Sequence, residues 1–171
     1  MRYGLNGEPK LLYVGRVSKE KNLHELVDTF EKVREAHTDA RLVIVGDGPF
    51  TDELKAMFPS DGVVFTGMVR GEELARLYAS SDIFVFPSET ETFGNVVVEA
   101  QAAGLPVVVS NRGAAKENVV QGVTGFVCDT RDAIQTSEYI SKLLGNHELR
   151  TKMGKAATDF ANQYSMEVAA N

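Results

Sequence analysis

The sequence predicts an α/β domain: a doubly wound, six-stranded parallel sheet with helices on both faces. Short apolar runs alternate with stretches of helical periodicity along the chain. The runs are apolar at every position rather than at every second one, which is typical of strands buried on both faces of a parallel sheet. Short connections between these units favour right-handed crossovers and a ligand crevice at the carboxyl ends of the strands.

Six apolar runs are the predicted strands, at residues 10–15, 42–46, 63–65, 83–86, 106–109 and 125–128. Helical stretches separate or follow them, at residues 23–33, 52–57, 74–78, 95–103, 116–120, 132–144 and 148–164. The first helix shows one apolar face, and Asn22 is placed to cap it, with Glu25 as the other half of a capping box. Function is therefore expected in the loops that follow the strands, at their carboxyl ends.

The composition fits one domain over residues 1–171, because a chain of 171 residues with 43% hydrophobic side chains can bury a full core. A net charge of −6 argues against a nucleic acid as the main partner, although a small anionic ligand remains compatible. Cys128 stands alone, which excludes a disulfide framework. No apolar run approaches the roughly 20 residues of a membrane span, so we expect a cytoplasmic protein without a membrane segment.

The loop after the first strand carries Gly15, Arg16 and Lys21. Both cations would overhang the crevice, where an anion would be held. A basic, solvated loop is the alternative. The next loop, Gly46-Asp47-Gly48-Pro49, suits either a tight turn or close approach of a ligand to the backbone. Neither loop matches the dinucleotide or phosphate-loop fingerprints.

The loop after the fourth strand leads into an almost entirely apolar helix. A carboxylate at Glu99 is costly there unless it has a hydrogen-bonding partner, so we expect it to meet a ligand. Amide groups near Gly94 and Asn95 would take a diphosphate while Glu99 accepts from sugar hydroxyls. Glu91 precedes the helix and could equally be an exposed loop acid. The three histidines are too far apart in sequence to indicate a metal site or a catalytic triad.

Five pieces of the sequence occur in register: Val14-Gly15-Arg16-x4-Lys21-Asn22, Val45-Gly46-Asp47-Gly48-Pro49, Phe65-Thr66-Gly67, Phe86-Pro87-Ser88 and Glu91-x7-Glu99-Ala100-x3-Gly104-x-Pro106. Together they resemble the C-terminal, donor-binding domain of group 1 retaining glycosyltransferases with the GT-B fold. The resemblance covers about residues 10–164. It implies a nucleotide-sugar substrate, UDP- or GDP-linked, with no cofactor and no bound metal.

The same resemblance assigns roles to individual residues. Glu91, Arg16 and Lys21 would be the catalytic groups: Arg16 and Lys21 on the donor diphosphate, and Glu91 on the donor sugar. Glu99 would bind the nucleotide ribose. The remaining donor contacts would come from Gly15, Gly67, Met68, Phe93, Gly94, Asn95 and Val96, with Gly67 and Met68 beside the base.

Such enzymes have a second, N-terminal domain that binds the acceptor, and nothing before Met1 corresponds to it. We therefore expect these residues to hold the donor without transferring sugar alone, with that N-terminal domain as partner. The full-length enzyme would transfer a hexose-type sugar, in cell-surface polysaccharide or glycolipid synthesis, at the inner membrane surface. A non-catalytic nucleotide-sugar binding module and a part of a GT-B-like epimerase remain as alternatives.

Overall fold

The computed structural model of the protein describes residues 2–59, 61–90 and 95–170. Six strands form one sheet: β1 Lys10–Val14, β2 Arg41–Val45, β3 Val63–Gly67, β4 Ile83–Phe86, β5 Val107–Ser110 and β6 Gly125–Cys128. Their order is β3-β2-β1-β4-β5-β6, and every neighbouring pair is parallel. The predicted six-stranded parallel sheet is confirmed.

Helices cover both faces of this sheet. They are α1 Leu26–Ala36, α2 Thr51–Met57, α3 Gly71–Ser80, α4 Val96–Ala102, α5 Ala133–Leu144 and α6 His147–Ala170. Helix α1 packs against α5 in one layer, and α4 packs against α6 in the other. The chain winds outward from β1 to β3, returns through α3 to β4, and then winds outward to β6. The winding direction therefore reverses between β1 and β4, which is where such sheets open a crevice.

The core lies between the sheet and these helix layers. Strands β2, β4 and β5 are buried almost throughout, as double-sided burial requires. Aromatic rings stack beneath the crevice: Tyr13 on Phe86 at 5.9 Å between centroids, Phe86 on Phe84 at 6.0 Å, and Phe84 on Tyr78 at 6.3 Å. This row of rings gives the loops above it a rigid base.

The start of the first helix differs from the prediction. A 3₁₀ turn at Leu23–Glu25 precedes α1, and Asn22 adopts a left-handed conformation with φ of 60°. The Asn22 side chain makes no cap hydrogen bond and instead donates to the Pro87 carbonyl oxygen and to Glu89 Oε1, each at 3.4 Å. The predicted capping box is wrong, because tertiary contacts outcompete the local cap. Helix α6 is also longer than predicted, since it continues past Tyr164 to Ala170.

Candidate functional site

A cavity of about 550 Å³ opens at the carboxyl ends of β1, β2 and β4, at the reversal point of the sheet. Its walls come from the loops after β1, β2 and β3 and from the first residue of α4. The lining residues are Tyr13, Val14, Gly15, Arg16, Glu20, Lys21, Val45, Gly46, Asp47, Met68, Val69, Phe86 and Val96. The predicted site residues Gly15, Arg16, Lys21, Met68 and Val96 therefore meet in one cavity.

Backbone hydrogen bonds join the loops at the floor of this cavity. Gly15 N donates to Val45 O at 3.0 Å, and Gly46 N donates to Gly67 O at 2.9 Å. Gly46 has φ of 135°, and a Cβ built on it would overlap the Gly15 carbonyl oxygen. Only glycine allows the loop after β1 and the loop after β2 to approach each other this closely. The Gly46 loop is thus more than a generic turn, because it shapes the cavity wall.

Arg16 is held through its backbone and presents its side chain to solvent. The buried hydroxyl of Tyr13 donates to the Arg16 carbonyl oxygen at 2.9 Å. Burial, with a smaller effect from the charge of Glu20, raises the pKa of Tyr13 far above its usual value, so the hydroxyl stays a donor even in alkaline solution. No acidic side chain in the described part of the chain forms an ion pair with Arg16. Its guanidinium is exposed at the cavity.

Lys21 is the second cation, and it is 5% exposed. Its Nζ donates to the Thr90 carbonyl oxygen at 2.9 Å and to Thr90 Oγ1 at 3.0 Å. A buried ammonium needs such partners because desolvation disfavours its charge. These bonds fix the ammonium at the cavity wall and tie the loop after β1 to the loop after β4.

Two acids also line the cavity. Glu20 and Asp47 are both exposed. A hydrogen bond from its own backbone N–H lowers the pKa of Glu20, and the charges of Arg16 and Lys21 lower it further. Asp47 Oδ1 accepts from Gly48 N at 2.8 Å, which fixes the turn. The cavity therefore has cations that can bind anionic groups and carboxylates that can accept hydrogen bonds from hydroxyl groups of the same ligand.

Helix α4 places the predicted residues Asn95, Val96 and Glu99 differently from one another. Asn95 is the N-cap, and its side-chain oxygen accepts from Val98 N at 3.2 Å. Glu99 is exposed, lies outside the cavity lining and accepts from the Tyr78 hydroxyl at 3.5 Å. The expectation that an apolar helix would leave Glu99 little water is therefore wrong, because one side of this helix faces solvent at that position.

The loop after β3 supplies the apolar end of the cavity. Met68 is 64% exposed there, and Val69 beside it is buried. Gly67 does not itself line the cavity, but its carbonyl oxygen accepts from Gly46 N and from Thr66 Oγ1, each at 2.9 Å. The predicted residues Glu91, Phe93 and Gly94 lie outside the described residues.

Sequence reasoning missed the contributions of Tyr13, Glu20 and Asp47. The apolar pattern marks Tyr13 only as a buried strand position, although a tyrosine near a strand end can place its hydroxyl in the loop that follows. Glu20 and Asp47 lie in the loops after β1 and β2, which the sequence already marks as candidate ligand contacts. Their position in those loops, rather than a motif, is the signal that identifies them as cavity residues.

Within residues 2–59, 61–90 and 95–170, no three His, Cys, Asp or Glu side chains are grouped as a metal ion would require. Over the same ranges, no helix combines the length and the apolar character needed to cross a bilayer.

The fold and cavity define a Rossmann-like domain with a ligand site at its topological switch point. The family model for glycosyl transferases group 1 matches residues 3–160. The chain belongs to this family, and it is built like the C-terminal domain of the GT-B glycosyltransferases.

Individual relatives agree with this assignment. The chain is 38% identical over 170 residues to sulfoquinovosyl transferase SQD2 of Arabidopsis thaliana, covering 96% of this chain and 32% of that protein. It is 33% identical over 170 residues to a GDP-mannose-dependent alpha-(1-6)-phosphatidylinositol monomannoside mannosyltransferase of Mycobacterium tuberculosis, covering 93% and 44%. The crystal structure of Anabaena Alr3699/HepE in complex with UDP and glucose matches with a TM-score of 0.80 at 25% identity, covering 92% of this chain and 44% of that one. The chain thus spans less than half the length of these proteins.

Proposed function

We propose that this chain is the donor-binding domain of a retaining, metal-independent glycosyltransferase that uses a UDP- or GDP-linked hexose. The observation that carries the proposal is the cavity at the switch point, whose lining includes both Arg16 and Lys21. A nucleotide sugar combines a diphosphate, a base and a hydroxyl-rich sugar. The cavity offers cations, an apolar end at Met68 and Val69, and acids, in that one space.

Arg16 and Lys21 would hold the diphosphate. An exposed guanidinium and a fixed ammonium supply charge-assisted hydrogen bonds without any further ion. When the bond between sugar and diphosphate breaks, negative charge grows on the leaving oxygen. Groups already aimed at that position stabilise the charge most effectively. Both residues would therefore act in binding and in the chemical step.

Glu99 and Glu91 complete the proposed donor contacts. Glu99 follows Val96 by three residues on α4, so the two side chains lie on the same side of the helix. A ribose that extends past Val96 would meet the Glu99 carboxylate, which is exposed and able to accept hydroxyl hydrogen bonds. Glu91, with Phe93 and Gly94, would contact the donor sugar and phosphate. Gly67 and Met68 would lie beside the base.

The whole enzyme would pair this domain with an N-terminal domain that binds the acceptor. We infer a glycolipid or cell-surface polysaccharide as the product and a cytoplasmic location at the inner membrane surface. The Mycobacterium tuberculosis relative, whose name includes a phosphatidylinositol acceptor, supports a lipid-linked product. In a protein with both domains, Glu91→Ala should abolish transfer and leave nucleotide binding intact.

Calorimetric titration of UDP and GDP tests donor binding. We expect Arg16→Ala and Lys21→Met each to weaken the preferred nucleotide about tenfold or more, since a charge-assisted hydrogen bond contributes about 1.5–3 kcal/mol. Lys19→Ala is the control, because Lys19 is exposed, pairs with Glu53 at 3.7 Å and does not line the cavity. Equal affinities in all three variants and in the wild type would contradict the proposal.

A further inference from the structure

Arg112, in the loop after β5, connects three other loops at the same end of the sheet. Its Nη2 donates to Glu25 Oε1 at 2.6 Å and Oε2 at 2.7 Å, and to Thr130 Oγ1 at 3.1 Å. Its Nη1 donates to Glu89 Oε1 at 2.8 Å. Thr130 Oγ1 also donates to Glu25 Oε1 at 2.6 Å. One guanidinium therefore links segments that follow β1, β4 and β6.

The burial of these groups differs from one end of the network to the other. The Glu25 side chain is 6% exposed and Thr130 is 1% exposed, so the Glu25 arm is desolvated. The Glu89 side chain is 44% exposed. The buried bonds to Glu25 hold Arg112 against the body of the domain, and the more exposed bond to Glu89 connects Arg112 to the loop after β4.

That loop is the one that holds Lys21. Glu89 is the neighbour of Thr90, whose carbonyl oxygen and hydroxyl accept from Lys21 Nζ. Ser88 Oγ donates to the Thr90 carbonyl oxygen at 2.7 Å and accepts from Thr90 N at 3.1 Å, so residues 88–90 form a tight turn. A Cβ on Gly113, next to Arg112, would collide with the Glu89 backbone, so the two loops are in direct contact.

We propose that Arg112 is a positioning residue that acts through Glu89 to hold Thr90, and thereby the Lys21 ammonium, in place at the cavity. Arg112 itself does not line the cavity. Its effect on nucleotide affinity rests on the proposed function of the site, whereas its effect on Lys21 does not.

If Glu89 acted only through its charge, its removal would change the affinity for a diphosphate in the opposite direction. Removing a carboxylate near an anion site reduces repulsion, so it should tighten the binding of a diphosphate. Loss of the Arg112–Glu89 bond instead loosens Thr90 and Lys21, so it should weaken that binding. The direction of the change in affinity distinguishes the two roles.

Three variants separate these effects. Glu89→Ala removes the link to Arg112 together with the longer bond from Asn22 Nδ2, and Glu89→Gln keeps an oxygen that can accept from both. Asp129→Ala is the matched control, since it removes a carboxylate near Arg112 that pairs with Arg131 at 3.0 Å and does not touch the loop after β4. Because Glu89 and Asp129 are both partly exposed, each variant should fold, which thermal unfolding will verify.

The decisive readout is the rate at which acetic anhydride acetylates Lys21 in the ligand-free chain, followed by mass spectrometry. We expect Glu89→Ala to raise this rate about tenfold, which corresponds to the loss of one charge-assisted hydrogen bond. Glu89→Gln should restore most of the protection, and Asp129→Ala should match the wild type. An unchanged Lys21 rate in Glu89→Ala would overturn the positioning role.

Affinity for UDP and GDP, measured on the same proteins, is the second readout. We expect Glu89→Ala to bind the preferred nucleotide more weakly and Asp129→Ala to bind it as tightly as the wild type or more tightly. Tighter binding in Glu89→Ala would overturn the inference. If the wild type binds neither nucleotide, the proposed function fails, and the acetylation rates alone decide the role of Arg112.

Discussion

Replacing Gly46 with alanine should destabilise the protein and disrupt the cavity at the same time. A Cβ at this position would overlap the carbonyl oxygen of Gly15 and lie 2.9 Å from its carbonyl carbon. The backbone there has φ of 135°, which L-residues rarely adopt. The loop after β2 must therefore move away from the loop after β1.

The magnitude follows from these two effects. A residue held in a sparsely populated backbone conformation costs about 1–3 kcal/mol. Movement of the loop also breaks the bond from Gly46 N to Gly67 O, which adds about 1–2 kcal/mol. We expect a loss of about 2–5 kcal/mol, centred at about 3–4 kcal/mol, which a domain with a typical stability of about 5–15 kcal/mol survives in most of that range.

Gly122→Ala is the matched control for this change. Gly122 also has positive φ, 75°, but a Cβ there meets no atom within 4 Å. It should cost only about 1–2 kcal/mol for the left-handed conformation. Urea unfolding followed by circular dichroism gives both values. If the free energies of unfolding of the two variants differ by less than about 1 kcal/mol, the close contact between the loops after β1 and β2 does not constrain the fold in this way.

Three other changes have definite expected outcomes. Tyr13→Phe removes the hydroxyl that donates to Arg16 O, so calorimetry and urea unfolding should show weaker nucleotide binding and a stability loss of about 1 kcal/mol. Arg112→Ala leaves the buried Glu25 carboxylate without its cation, and urea unfolding should show a loss of about 2–3 kcal/mol, less than for a fully buried pair because Arg112 is 23% exposed. Burial raises the pKa of the Cys128 thiol, so the folded state holds that proton more tightly. Stability should therefore fall as pH rises past about 8.5, the unfolded thiol pKa, and Cys128→Ala should reduce that fall.

Much of the fold follows from the sequence because its strands are buried on both faces. An uninterrupted apolar run such as Val107-Val108-Val109 has few other stable environments in a chain of this size, so the strands and their parallel pairing could be predicted. The start of α1 could not. Asn22 has the local signature of a cap, but its amide is drawn to Pro87 and Glu89, which lie more than 60 residues away.

In the site, too, some features could be predicted from the sequence and others depend on tertiary packing. The location of Arg16 and Lys21 at the cavity could be predicted, because the carboxyl ends of the strands converge there. The partner of Lys21, Thr90, and the role of Tyr13 depend on side-chain directions that no local pattern encodes. The apolar composition of α4 predicts that Glu99 meets a ligand. Its exposure depends on which side of α4 is left uncovered, and that is a property of tertiary packing.

Binding of a nucleotide sugar at the carboxyl ends of the strands is tested most directly by an ¹H–¹⁵N correlation spectrum titrated with UDP- and GDP-sugars. We expect saturable shifts at the amides of Gly15, Arg16, Gly46 and Met68, which belong to the cavity loops. Amides at the amino ends of the strands, such as that of Asp82, should not shift. Shifts confined to the amino ends, or no shifts at millimolar ligand, would contradict binding at this cavity.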